Sequence, residues 1–400
     1  MDNTIGKIVD EVCECLHMGN GKVVKIETIQ DAVEEVLMSY RFDVAKAYIT
    51  YRYRHTMARD EYKALMADVK EKLSAENVQN QNANVDEHSF GGRIGETADL
   101  VMKRYALDYC MSDMAKNNHL NNEIYIHDLS HYAVGDHNCL TIPFDNLLNK
   151  GFNTRQTDVR PAQSVSTAFQ LVAVIFQLQS LQQFGGVSSS HLDWTMVPYV
   201  RKSFTKHLSD GLAWCENKSS YKVRRFSKWI KNNPDYPDNT IHLDNEEFKT
   251  IHPVAWEYAI EMTTKEVYQA VEGMYHNLNT LQSRSGNQLP FTSINYGTCT
   301  LPEGRLITKA LLDVSIKGIG KLHKTSIFPC GIFQCMKGVN RKQGDPNYDL
   351  FKLALKSTSL RLYPNYANVD WSGNAGYDVN DPRTYFSTMG EYICRPCKIL

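Results

Sequence analysis

One stretch constrains the fold more than any other. Phe291–Tyr296 reads as a strand, Ile307–Ile319 as a helix, Ser326–Gln334 as a second strand and Tyr348–Leu360 as a second helix. Strands that alternate with helices build a sheet whose faces the helices cover. The expected class is therefore α/β, with the strands in a barrel or an open sheet. In such folds, functional groups gather at strand ends and in the loops that leave them.

Three longer helices precede this stretch. Gln163–Phe184 keeps Gln163, Thr167, Gln170 and Gln177 on one stripe and is apolar almost everywhere else, so it should be buried on a wide face, in a core or against a partner helix. Residues 193–210, after Gly185-Gly186, carry Trp194, Val197, Val200, Phe204 and Leu208 at helical spacing. The third runs from Pro253 to about Leu281. Between the second and third, residues 209–250 are charged and aromatic and are broken by Pro234 and Pro237, which reads as a surface excursion. Its basic run, Lys222, Arg224, Arg225, Lys228 and Lys231, is better read as a solvated face than as a binding patch.

The N-terminal part is different. Residues 4–54 read as three short helices, marked by Ile5, Ile8, Val9, Val12 and Leu16, then Ile29, Val33, Val36 and Leu37, then Phe42, Ala45, Ile49 and Tyr53. Residues 74–92 form the clearest linker, because Asn77 to Glu87 has too little apolar surface for a core. Phe90-Gly91-Gly92-Arg93-Ile94-Gly95 has glycines but no strand ahead of it, so it is a turn into a helix over 96–112 and not a nucleotide fingerprint.

Composition narrows the function classes. A chain of 400 residues suggests two or three structural units, and 42% hydrophobic with 22% charged residues can pack a globular interior. A net charge of -1 gives no general attraction to nucleic acid or to an acidic membrane. Ala168 to Leu178, the most apolar run, is too short to span a bilayer, and Met1 to Asp10 has no secretory apolar core. Ten cysteines without a regular framework read as free thiols in a reducing cytosol, so a cytoplasmic location is expected.

Three features could carry chemistry. In the first, Ile124 and Ile126 alternate with polar residues as in a buried strand, and the chain then turns through Gly135 and Asp136 to Cys139, flanked by His137 and Asn138. A cysteine in polar company past a strand end is placed to react; the alternative is an inert buried thiol. The second is the run Asn279 to Gln288, rich in amides and hydroxyls, with Arg284. It offers donors to a phosphorylated or sugar ligand, or is a solvated loop. The third, Cys394-Arg395-Pro396-Cys397, has zinc-ligand spacing, but a structural zinc needs four ligands and this is a lone pair, so no metal site is assigned.

Several short motifs together resemble the anaerobic, class III ribonucleoside-triphosphate reductases, which are glycyl-radical enzymes. They are Tyr125-Ile126-His127-Asp128, Asn138-Cys139-Leu140, Phe184-Gly185-Gly186, Asn279-Thr280-Leu281 and Gly286-Asn287-Gln288-Leu289-Pro290-Phe291. Lys317-Gly318-Ile319-Gly320, Ile327-Phe328-Pro329, Gly344-Asp345-Pro346-Asn347-Tyr348-Asp349 and Tyr363-Pro364 follow in family order. Residues 4–54 resemble the helical, C-terminal part of the ATP-cone that precedes this domain.

The resemblance implies a ten-stranded α/β barrel with a cysteine-bearing finger loop threading its centre, preceded by a partial helical ATP-cone. It divides the chain into a partial cone over 1–55, a linker over 56–92, the reductase barrel over 93–390 and a tail over 391–400 unlike the family. In the family, a glycyl radical, installed by a radical-SAM activating enzyme, makes a thiyl radical on the finger cysteine. The thiyl takes the ribose 3′ hydrogen of a ribonucleoside triphosphate, and a second cysteine on an early strand helps reduce the 2′ position. Cys139 matches that second cysteine. The family dimerises through long helices and binds ATP or deoxynucleotide effectors; Lys206 matches an effector-contacting lysine, and helices 163–184 and 193–210 fill the dimer role. No nucleic-acid or membrane partner is implied.

Both ends depart from the family. The chain starts past the cone's β-hairpin, so nucleotide is not expected to bind residues 1–54. Where the family reads Met-Gly-Cys-Arg, this chain reads Met389-Gly390-Glu391, and the family's zinc cysteines and radical glycine are not found in it. An interrupted or wrongly bounded reading frame would explain this. The alternative expectation is a catalytically inactive truncated chain that keeps dimerisation and effector binding.

Overall fold

The structure, a computed structural model, describes residues 2–16, 23–74, 88–135, 137–183, 185–216, 226, 228–234, 236, 238–284, 287–371, 373–374 and 376–389. The chain divides into two compact units, residues 1–80 and 81–400.

The first unit is helical: α1 (Asp2–Cys15), α2 (Ile26–Tyr40) and α3 (Phe42–Ser74). Val12, Ala32 and Val36 form its small core, with Ile8, Leu16, Val33 and Tyr40 packed against it. Arg52 reaches back from α3 to Asp31 and Glu34 of α2, at 2.5 and 2.9 Å. The third helix is not short. It has 33 residues and continues well past Tyr53, although only Ala45 of it is buried.

In the second unit, Ser89 caps α4 (Phe90–Tyr105) by accepting from the Gly92 amide, so the Phe-Gly-Gly-Arg run opens the helix itself. A π-helical turn, Ala106–Cys110, and α5 (Asp113–Leu120) follow. The strand expected around Ile124 and Ile126 does not form. Ile124 is 44% and Tyr125 79% exposed. The Ile126 amide is held by His119 Nδ1 at 3.2 Å, and Asp128 turns the chain with a left-handed φ of 56°.

The main sheet begins later. β1 (Leu140–Thr141), β4 (Val187–Ser189), β5 (Thr292–Tyr296), β6 (Cys330–Cys335) and β7 (Asn365–Asn368) lie side by side in that order, every pair parallel. β2 (Phe152–Asn153) and β3 (Asp158–Val159) form a separate small hairpin. Helices α6 (Phe144–Lys150), α7 (Val165–Ser180), α8 (Leu192–Trp214), α9 (Glu246–Ile251), α10 (Pro253–Thr280), α11 (Pro302–Lys317) and α12 (Tyr348–Arg361) complete the unit. Parallel strands joined by helices are the α/β architecture that the alternating pattern requires. Five strands form an open sheet among the described residues.

The sheet has two unlike faces. Val187, Ile294, Tyr296 and Phe333 point into the main core with Phe169, Phe176, Met196, Leu278 and Leu311 of the helices. The alternate residues, among them Ser188, Asn295, Ile332, Gln334 and Ala367, lie on the other face, where residues 385–389 run across them. Residues 209–250 are more than a surface excursion: Ile230 and Ile241 are fully buried with Phe204, Leu212, Phe248 and Trp256 in a satellite core.

Candidate active site

Cys139 lies one residue ahead of β1, at the amino end of the sheet and not past the end of a strand. It is half-buried, and its Sγ lies 3.7 Å from Asn138 Oδ1. Leu140 faces the helix-covered core side, level with Val187, so strand alternation turns Cys139 toward the other face.

The neighbouring strand explains why glycines occur there. The Leu140 amide donates to Gly186 O at 3.0 Å, and the Val187 amide donates to Phe291 O at 2.8 Å. Asn138 crosses so close to Gly185 that a Cβ there would sit 1.9 Å from the Asn138 carbonyl oxygen. A Cβ on Gly186 would lie 3.7 Å from Phe291 O and 3.9 Å from Met389 Sδ. Thus the loop bearing Cys139, the Gly185-Gly186 pair, Phe291 and Met389 meet at the amino ends of β1, β4 and β5. Gln183 braces the junction, its Nε2 donating to Gly186 O at 2.7 Å.

Residues 385–389 reach this point along the polar face. Gln334 Nε2 donates to Phe386 O at 2.9 Å, and Asn295 Nδ2 donates to Thr388 O at 3.0 Å. The Thr388 amide donates back to Asn295 Oδ1 at 3.1 Å. Ser188, Asn295 and Gln334 are all fully buried. Sequence reasoning passed over them. The available signal was Ser293 and Asn295 alternating with Ile294 and Tyr296 in β5, and Gln334 following Ile332 and Phe333 in β6.

The amide-rich run 279–288 is engaged within the chain. Asn279 Oδ1 accepts from the Ile327 and Phe328 amides, Ser180 and Ser283 hydroxyls lie 3.1 Å apart, and Asn287 Nδ2 donates to Ser89 Oγ at 2.8 Å. Arg284 is buried and stacks 4.0 Å over the Phe291 ring, behind the junction just described. Ser285 and Gly286 lie outside the described residues, as do Phe184, Gly390, Glu391, Cys394, Cys397, Lys222, Arg224 and Arg225.

Lys206 is exposed on α8, away from this junction in the chain. Beside it, His207 Nε2 lies 2.8 Å from Glu266 Oε2 of α10, while the Ser166 hydroxyl at the start of α7 donates to Glu266 Oε1 at 2.8 Å. Burial alone would raise the Glu266 pKa. The bonds from His207, Ser166 and Ser203 outweigh it and hold the carboxyl at about 2. α7 buries Phe169, Val172, Ile175 and Phe176 within the chain and packs Leu171 against the same core, so the apolar excess left on its outer side is Leu178 and Leu181, with Val174 half-buried.

A cavity of about 690 Å³ opens beyond the carboxyl ends of β1 and β4. Of its lining charges, His191 Nε2 pairs with Asp145 Oδ2 at 2.8 Å and Arg383 with Asp381 at 2.8 Å, while Lys202 Nζ donates to Ala162 O at 3.0 Å. Among the described residues, no group of three or more His, Cys, Asp or Glu side chains could hold a metal ion, and no helix is long and apolar enough to cross a membrane.

Residues 81–393 match the sequence profile of the family described as anaerobic ribonucleoside-triphosphate reductase. The chain belongs to that family. Residues 1–57 match the ATP cone domain. Among relatives, the anaerobic ribonucleoside-triphosphate reductase of Haemophilus influenzae is 30% identical over 392 residues, covering 97% of this chain and 50% of that protein. The Escherichia coli reductase is 30% identical over 371 residues, covering 92% and 46%, and that of Enterobacteria phage T4 is 30% identical over 287 residues, covering 72% and 41%. The chain thus spans about half the length of the curated relatives it matches. A solved anaerobic ribonucleotide reductase from Thermotoga maritima, in complex with dATP and CTP, aligns with a TM-score of 0.47 at 13% identity, over 78% of this chain and 50% of that one.

Proposed function

We propose that this chain carries the N-terminal and central part of an enzyme that reduces ribonucleoside triphosphates to deoxyribonucleoside triphosphates without oxygen, with Cys139 as the thiol that serves the 2′ position. The observation that carries the reading is the convergence of Cys139, Gly185-Gly186 and Met389 at one corner of the sheet. Family members place their radical cysteine directly after Met-Gly, and here residues 385–389 run to the corner beside the loop that bears Cys139. The ten-stranded closure of the family barrel is part of the same proposal; the five parallel strands supply one half.

The chemistry asks three things of the chain's own residues. Cys139 must hold a transferable hydrogen close to the sugar. An S–H bond gives its hydrogen to a carbon radical, whereas a serine O–H does so far less readily. The site must exclude water from radical intermediates, and a sheet face overlain by residues 385–389 begins such an enclosure. The glycyl radical supplies, when present, the hydrogen-atom acceptor that starts the reaction, and a radical-SAM enzyme would install it. Glu391 stands where the family has its finger cysteine, and a carboxylate cannot form a thiyl radical. A cysteine must therefore reach the corner from sequence outside residues 1–390. The described residues do not fit a zinc site.

Assembly and regulation complete the reading. The outer side of α7, with Leu178 and Leu181 exposed and Val174 half-buried, supports a homodimer that pairs α7 with its copy. Lys206, with the positive end of α7 near it, supports a deoxynucleotide effector site at that interface, and a cytoplasmic location suits the substrate. The test is Cys139→Ser in a polypeptide completed with the family's finger cysteine and radical loop. It should keep its fold and lose deoxynucleotide formation; normal yield from the mutant would overturn the assignment.

A further inference from the structure

We infer that Ser188, Asn295 and Gln334 are positioning residues: a polar clamp across three strands that fixes the path of residues 386–389 and so holds Met389 at the Cys139 corner.

The interior of a parallel sheet is ordinarily filled with aliphatic side chains. Here three fully buried polar side chains occupy one face of β4, β5 and β6. Burying such groups is costly unless they are bonded, and of their polar atoms all but Gln334 Oε1 are. Their bonds converge on the crossing segment. Asn295 pairs with Thr388 through both of its amide atoms, as a neighbouring strand would: Nδ2 to Thr388 O and Oδ1 from Thr388 N. Ser188 Oγ donates to the same carbonyl at 3.4 Å, and Gln334 Nε2 holds Phe386 O. Asn295 and Gln334 also donate to Ser189 O and Ser190 O, which ties the clamp to the end of β4.

The spacing fits a diagonal crossing. Ser188 is level with Ser293, two residues before Asn295, and Asn295 is level with Ile332, two residues before Gln334. Each step to the next strand therefore advances two residues and stays on one face. With strands about 4.8 Å apart and about 3.3 Å of rise per residue, successive clamp positions stand about 8 Å apart. An extended segment covers about 7 Å between Phe386 and Thr388, so its carbonyls fall on successive members of the row. Apolar contact adds to the grip, since Phe386 packs on Ile332 and Ala367.

The catalytic consequence rests on the reading of Met389 as the entry to the finger; the clamp does not. The test is amide hydrogen exchange at single-residue resolution on the 400-residue chain. Asn295→Ala removes both bonds to Thr388. It should speed Thr388 exchange by at least tenfold and leave the Ile294 and Phe333 amides unchanged. Unchanged protection of Thr388 would overturn the clamp. Should all three amides speed up together, Ser188→Ala decides, since it deletes one hydroxyl and leaves little space. It should speed Thr388 alone by about threefold, and a rate equal to the unaltered chain would overturn the proposal. Exchange needs no substrate and no radical, so a failed clamp is distinguishable from a failed assignment of Cys139.

Discussion

Two adjacent glycines at the Cys139 corner should respond oppositely to the same substitution. Neither Gly185 nor Gly186 has a positive φ, so their backbones admit alanine and only space decides. At Gly185, the added Cβ would lie 1.9 Å from Asn138 O and 2.4 Å from Asn138 C and Oδ1. Non-bonded atoms settle near 3.5 Å, so the Asn138–Cys139 segment and the Gly185 turn must part by about 1.5 Å. That movement works against Leu140 N to Gly186 O at 3.0 Å and Gln183 Nε2 to Gly186 O at 2.7 Å. Overpacking alone costs about 1–3 kcal/mol, and each hydrogen bond lost adds about 1 kcal/mol. Gly185→Ala should therefore destabilise the chain by about 2–4 kcal/mol or, if strain relaxes locally, displace Cys139. At Gly186 the nearest atoms are 3.7 Å or more away, an ordinary contact, so Gly186→Ala should cost no more than about 0.5 kcal/mol. Urea denaturation gives the stabilities, and iodoacetamide labelling read by mass spectrometry gives the accessibility of Cys139. A Gly185→Ala chain with both stability and labelling rate unchanged would refute the packing argument.

Two further predictions concern the helices. Glu266 is held at about 2, below its ordinary 4.5, so its bonds contribute stability above about pH 4.5 that is lost as pH falls toward 2. Urea stability should fall less between pH 6 and pH 3 in Glu266→Gln than in the unaltered chain; parallel profiles would contradict this. Val174→Asp places a charge on the half-buried outer side of α7, and an unpaired buried charge costs several kcal/mol. Light scattering at tens of micromolar should show a dimer that the substitution converts to monomer; an unaltered chain that is monomeric, yet folded by circular dichroism, removes the interface assignment.

Most of the secondary structure was legible because its signals are local. The helices at 165–180, 192–214, 253–280, 302–317 and 348–361 and the strands at 292–296 and 330–335 all lie where periodicity places them, within a few residues. The failures share a cause. Ile124-Tyr125-Ile126 alternates like a strand, but strand pairing needs a neighbour; here a bond from His119 and the turn at Asp128 hold the segment off the sheet. The corner itself was legible only as separate motifs. Asn138, Gly185, Phe291 and Met389 are separated by tens to hundreds of residues, and no local pattern says that they touch. Even so, the motifs carried a physical trace of the contact. A glycine pair at a strand entry marks a close approach by some other backbone, and an asparagine inside a strand marks a backbone to be gripped. What neither can name is its partner. For Gly185 that partner is Asn138, the residue beside Cys139, and for Asn295 it is Thr388, the residue before Met389. Both local oddities of this sheet therefore point to the same junction at the amino ends of β1, β4 and β5.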